Sequence, residues 1–230
     1  MKHLAILFTL LIAWLQPRLS QAQSITWSNL VGDDLFNSQG VALDATFRFE
    51  IGIFTNDFVP TGSNLNDWNT NWLVFDAAVA GSGWNVDAQY FASTTTRSST
   101  GESNSAFASP GVFPAGAQAY LWVFNSKGVL DSSEWALVSD FNGGGISDSW
   151  VFPSIPNQSL PNVGLTWSLA DAETAIFGAV QSGNSIGDGM VSSQPSSFSL
   201  QTYQVPEPGS ALLVGAAGLL ILIRRHRFRR

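Results

Sequence analysis

The chain has no cysteine, and its two histidines, His3 and His226, stand close to its ends. Without a thiol or an imidazole in between, a Ser-His-Asp triad, a cysteine nucleophile and the usual zinc or haem ligation are all excluded from the middle of the chain, because each needs one of those side chains. Disulfides are excluded too, so stability must come from an ordinary core. Charge is scarce: Lys, Arg, Asp and Glu make up 12% of 230 residues, about half the usual share. Positive charge is scarcer still. Between Gln23 and Val205 only Arg48, Arg97 and Lys127 stand against sixteen acidic residues, a formal charge of −13. Nucleic acid and anionic lipid are poor partners for such a segment.

What is present at the N-terminus is a processing signal. Lys2 and His3 precede an apolar run of twelve, Leu4 to Leu15, and Ser20 and Ala22 supply small residues before a cut between Ala22 and Gln23. Twelve apolar residues fall short of the roughly 20 that span a bilayer, so a cleaved signal peptide over 1–22 is expected rather than an anchor. Signal peptidase is then the first processing partner.

Residues 23–203 read as one domain, with no charge run or Pro-rich linker to divide them. About 180 residues can bury a substantial core. In Ala45 to Phe54, period-2 alternation puts Phe47, Phe49, Ile51 and Ile53 on one face, with Arg48 and Glu50 on the other. Trp84, Val86, Ala88 and Tyr90 alternate likewise, and AYLWVFN is apolar on both faces, as a central strand is. Shorter strand candidates are EWALVS, SWVFP, GLTWSLA, TAIFGAV and SFSLQTYQV. Clusters such as TTTRSSTGESNS and NGGGISDS carry turn and loop chemistry. Trp68, Trp72, Phe75 and Val79 recur at helical spacing, with Asn64 or Asn66 as a cap. Many short strands and one helical excursion predict an all-β fold, a jelly-roll-like two-sheet β-sandwich.

The C-terminal segment, 204–230, has three parts in order. Val205-Pro206-Glu207-Pro208 leads into an uncharged run, Gly209 to Ile223, and then Arg224, Arg225, Arg227, Arg229 and Arg230. Fifteen residues of helix span about 22 Å, a marginal transmembrane length that snorkelling arginines extend. The arginines place the C-terminus in the cytoplasm and the body across the membrane. This combination resembles the PEP-CTERM sorting signal of exported proteins of Gram-negative bacteria. The resemblance implies recognition of Val205, Pro206, Glu207 and Pro208 by an exosortase, transient anchoring in the inner membrane, and delivery to the cell surface or the extracellular matrix. It does not say which bond is cut. More weakly, the Phe, Gly and Trp landmarks from Phe47 to Asp76, with GAQAYLWVFNS, SEWALVSD and SWVFP, are similar to a group of exosortase-sorted proteins that carries no assigned activity.

Three chemistries can be set against a passive structural role. Glycoside hydrolysis needs two facing carboxyls, drawn from Glu50, Glu102, Glu134 and Glu173, with Glu134 beside Trp135 the first pairing to inspect; Glu50 reads more simply as an exposed strand residue. A structural calcium could use Asp131 with Glu134, Asp140 to Asp148, or Asp171 with Glu173, although none has EF-hand spacing and solvated loop acids are the plainer account. Saccharide stacking, the expectation for a carbohydrate-binding module, could use Trp68, Trp72, Trp122, Trp135 and Trp150, although tryptophans in apolar alternation more often fill a core. No catalytic residue, resident metal or other cofactor is assigned. The expectation is a structural or interaction protein, with extracellular polysaccharide as a candidate partner.

Overall fold

The computed structural model describes residues 22–130, 132–141, 149–154, 164–182 and 198–206, without the side chains of 181, 182 and 198. Residues 1–21 of the expected signal peptide, Glu207, Pro208, the apolar run Gly209 to Ile223, the five terminal arginines, Asp131 and Asp148 lie outside the described residues.

The elements run β1 (Ala22–Ser28), β2 (Asp34–Phe36), β3 (Arg48–Phe54), helix α1 (Leu65–Asn71), β4 (Trp72–Ala80), β5 (Gly83–Asn85) and β6 (Tyr90–Ser98). Then come β7 (Tyr120–Phe124), β8 (Glu134–Ser139), β9 (Leu165–Ser168), a 3-10 turn (Leu169–Asp171), β10 (Thr174–Phe177), β11 (Ala179–Ser182), β12 (Phe198–Gln201) and β13 (Tyr203–Gln204). Among the described residues, ten strands form one sheet in the order β10-β8-β7-β3-β4-β5-β6-β1-β9, with β13 also on β8; β11-β12-β2 form a second. The fold is therefore mostly β, a large sheet plus a small one.

The large sheet curls. Ile25 and Trp27 of β1 and Leu165 and Trp167 of β9, near one end of the strand order, share a single core with Leu121 and Val123 of β7 and Ala136 and Val138 of β8, near the other. Phe47, Phe49, Ile51 and Ile53 enter that core, as their alternation predicts, and Leu35 and Leu200 of the small sheet join it. A narrow gap between Trp27, Ile51, Leu121, Trp150 and Trp167 is too tight for a water molecule.

Two of the crossings between the sheets are a single residue long. β10 passes into β11 at Gly178 (φ 80°), and β12 passes into β13 at Thr202. They touch: a Cβ on Gly178 would lie 2.6 Å from the Gln201 carbonyl oxygen and 2.8 Å from Ala136 Cβ. Only glycine tolerates both that φ and that approach.

The outer face is covered as well where β4, β7 and β8 lie. Trp72 and Val74 of β4, Trp122 and Phe124 of β7, and Trp135 and Leu137 of β8 form a second cluster, over which α1 lays Leu65 and Trp68. Trp68 stacks on Trp135 at 5.6 Å and meets Trp122 edge-on at 5.8 Å. The helix has only seven residues, rich in poor helix formers, so this packing rather than propensity sustains it. Asn64 stands at the N-cap but makes no side-chain cap. Its Oδ1 instead accepts from Thr61 N at 2.8 Å and Trp68 Nε1 at 2.9 Å.

Several expectations are corrected. The helix stops at Asn71, and Trp72, Phe75 and Val79 lie in strand β4, because a mixed apolar run fits either period and pairing with β3 decides it. The alternation from Trp84 to Tyr90 is broken by a turn at 86–89 between β5 and β6. Thr94 to Ser98, read as loop, continue β6, and SWVFP contributes only an isolated bridge from Val151 to Gln118. Packing also extends past residue 203: β13 includes Gln204, and Val205 is 1% exposed.

Candidate functional site

β3 presents Glu50 to the outer face, opposite Phe49 and Ile51. The residue is buried, 2% exposed, rather than on the surface as the alternation with Arg48 suggested. It is compensated from three sides. Lys127 Nζ lies 2.6 Å from Oε2, Trp72 Nε1 donates to the same oxygen at 2.8 Å, and Arg48 Nε lies 2.7 Å from Oε1. The Arg48 N–H points off that line, so its contact is ionic rather than a directed hydrogen bond. The ammonium of Lys127 also sits 5.3 Å from the Trp122 ring centre and 5.2 Å from that of Phe124, at cation–π range. The third cation, Arg97, is buried on β6 and donates from Nε to Phe113 O at 2.7 Å and from Nη1 to Pro153 O at 3.0 Å. Burial lowers its pKa from the ordinary arginine value. All three basic side chains of the body are thus committed to internal contacts.

Glu134 belongs to the other face of the sheet. Strand alternation puts Ala136 and Val138 on the inner side and Trp135 and Leu137 on the outer, so Glu134 points away from the face that carries Glu50. It accepts from Ser38 N and Ser38 Oγ, both at 2.8 Å, and from Thr202 Oγ1 at 2.7 Å, tying the loop after β2 to the β12–β13 crossing. Asp76 is buried and accepts from Trp27 Nε1 at 2.8 Å and Ser105 Oγ at 2.5 Å. Asp171 closes a capping box with Ser168. These carboxylates each join elements of the fold. Among the described residues no three His, Cys, Asp or Glu side chains gather as a metal site would require.

The tryptophans named as stacking surfaces are inside. Trp68, Trp122 and Trp135 are 0% exposed, Trp150 is 3% and Trp72 is 7%, and Trp27, Trp84 and Trp167 are buried with them. None offers a ring face to a ligand, because the outer side of the sheet, where strand parity places Trp72, Trp122 and Trp135, is roofed by α1. Of the residues expected to form the sorting motif, Val205 donates its N–H to Ser133 O at 2.8 Å and packs in the outer cluster, while Pro206 is exposed. Ala22 opens β1 opposite Ser98, and Gln23 is buried beside Arg97.

An open groove of about 540 Å³ lies along β5 and the start of β6, lined among others by Gly81, Gly83, Asn85, Asp87, Tyr90 and Ala92. Asn85 and Tyr90 are cross-strand neighbours on the outer face, opposite the inward Trp84 and Phe91. The turn between them is pinned: Gln89 Nε2 donates to Val86 O at 2.7 Å and Leu43 O at 2.8 Å, and Ala88 N donates to Asn85 Oδ1 at 3.1 Å. Composition and motif gave no sign of this concavity, since the turn that shapes it interrupts a regular alternation.

The groove opens onto an uncharged hydroxyl face. Cross-strand register aligns Thr166, Thr26 and Thr94 in one row, Ser168, Ser28 and Ala92 in the next, and Ser24 with Thr96 in a third. Such rows are about 6.8 Å apart along a strand and the strands about 4.8 Å apart. Compared with protein-family models, curated proteins and solved structures, the chain matches none of them.

Proposed function

We propose that this chain is an exported cell-surface or extracellular-matrix protein, processed by an exosortase, whose body is a jelly-roll-like β-sandwich with a structural role and no catalysis of its own. The observation that carries the structural role is the commitment of its reactive-looking groups. Glu50 and Glu134 occupy opposite faces of one sheet, the three cations are held internally, and the tryptophans are core. A hydrolase pair must face across one cleft, and these two do not.

The sorting reading rests on the three-part C-terminal pattern. Exposure of Pro206 supports it, since the chain reaches the surface of the body there, whereas Val205, the first residue of the motif, is packed in the outer cluster. Signal peptidase and exosortase act on the chain, the arginines orient it in the inner membrane, and the body is left outside the cytoplasm. Substituting alanine at Pro206, Glu207 and Pro208 together should leave an unprocessed, membrane-held product on immunoblots of fractionated cells. Processing at the parental size would overturn the assignment.

A further inference from the structure

We infer that the β5–β6 groove, with the hydroxyl face beside it, is a binding site for an uncharged glycan chain. The inference goes beyond the structural role proposed above and does not depend on how the C-terminus is processed.

Unused polar groups carry the argument. Around the Glu50 and Glu134 sites every carboxylate, ammonium and guanidinium is matched inside the fold. In the groove, the carboxylate of Asp87 is exposed, and among the described residues the ring and hydroxyl of Tyr90 have no partner and Asn85 uses only its Oδ1, which leaves the amide N–H groups for a ligand. The pinned 86–89 turn fixes the backbone that carries Asp87 and leads into Tyr90 before any ligand arrives, which reduces the ordering cost of binding. Gly81 and Gly83 shape the backbone beside the groove: both have φ near +80°, and Gly83 packs so closely on β6 and β4 that a Cβ there would come within 2.9 Å of Ala92 O and 3.0 Å of Ala78 Cβ.

A saccharide ring meets this set. Its C–H face packs on the Tyr90 ring, its hydroxyls donate to Asp87, and its oxygens accept from Asn85 Nδ2. Alternation on β6 then carries the outer face from Tyr90 through Ala92 to Thr94 and Thr96, so a chain leaving the groove would run onto the rows of Thr26, Ser28 and Thr94. The Thr26 and Thr94 hydroxyls bond each other at 2.9 Å, which leaves one O–H and the remaining lone pairs of that pair, with the Ser28 hydroxyl, to meet a polyol as donor or acceptor. The site also excludes negative charge. An acidic polysaccharide would meet Asp87 with no cation to offset it, because Arg48, Arg97 and Lys127 are committed elsewhere, on a body of formal charge −13.

The test is affinity electrophoresis of the full chain, kept in a non-glycosidic detergent, through gels containing β-glucan, galactomannan, dextran or glycol chitin, with polygalacturonate as the polyanion. Retardation is expected in at least one neutral gel, insensitive to added salt. Tyr90→Ala should weaken it by roughly five- to tenfold, from loss of one stacked ring. Asp87→Asn should weaken it as well, and Tyr90→Phe should largely retain it. Both positions are solvent-facing, and an unchanged circular dichroism melt would confirm that the variants fold. Migration unaffected by all four neutral polysaccharides would overturn the inference. So would retardation that Tyr90→Ala leaves unchanged, preference for polygalacturonate, or loss of retardation in salt, the last being the mark of a charged partner.

Discussion

At the scale of single residues, the chain uses its few charges as fasteners. Glu50 sits between two cations and an indole N–H under an aromatic layer, so removing it strands Lys127 and Trp72 Nε1 together. Breaking a buried ion pair from one side costs about 3–5 kcal/mol. Here the cations are partly exposed, Arg48 at 34% and Lys127 at 25%, and can be rehydrated. Glu50→Ala is therefore expected to destabilise the protein by about 2–4 kcal/mol in urea unfolding. Lys127→Met, which keeps the apolar stem over Trp122, should cost less. A Lys127→Met variant less stable than Glu50→Ala would show that the ammonium, rather than the carboxylate, organises the cluster.

At the scale of elements, the two crossings decide whether the small sheet can close over the core. β10 becomes β11 and β12 becomes β13 where Gly178 meets Gln201. Gly40 is a natural control, because its φ is also positive, at 75°, but a Cβ there would have nothing within 4 Å. Gly40→Ala should cost only the backbone strain of a left-handed residue, about 1 kcal/mol. Gly178→Ala adds a collision with backbone and should lower the thermal midpoint considerably more, with early loss of amide protection in β11 and β13 by hydrogen exchange. Equal midpoints for the two variants would mean that the crossing yields easily.

At the scale of the whole molecule, the absence of histidine and cysteine from the body leaves no side chain with an ordinary pKa between about 6 and 8. Stability should vary little across that range. Alkaline pH is different. Tyr120, set edge-on to Phe54 at 5.4 Å and to Phe141 at 5.9 Å, has its phenol pKa raised by burial. A raised folded pKa means that the unfolded chain ionises first. Its contribution is complete below the unfolded value of about 10 and is lost as pH rises through the folded value. Tyr120→Phe should flatten the alkaline limb of a stability profile relative to the parent, and superimposable limbs would assign that limb to other groups.

The division between what could be read in the chain and what could not follows from the range of each interaction. Alternation is local, so β3, β7 and β8, and the assignment of Phe49 and Ile51 to one face and Glu50 to the other, were legible residue by residue. The seven-residue helix was legible only in its first turns, since Trp72 and Phe75 satisfy a helical period and a strand equally until β3 pairs with them. The strand Ala22–Ser28 was hidden beside the expected cleavage site. Sequence alone determined the absence of thiol and imidazole chemistry, the acidic balance, the β-rich patterning and the three-part C-terminus, because these are properties of composition and order. Tertiary structure alone decided that Glu50 is buried, that Glu134 faces away from it, that the tryptophans are core, and that Asp87 and Tyr90 share an open groove. Those facts depend on contacts between residues far apart in the chain, on which face a neighbouring strand covers and where α1 comes to rest, and no local pattern encodes them.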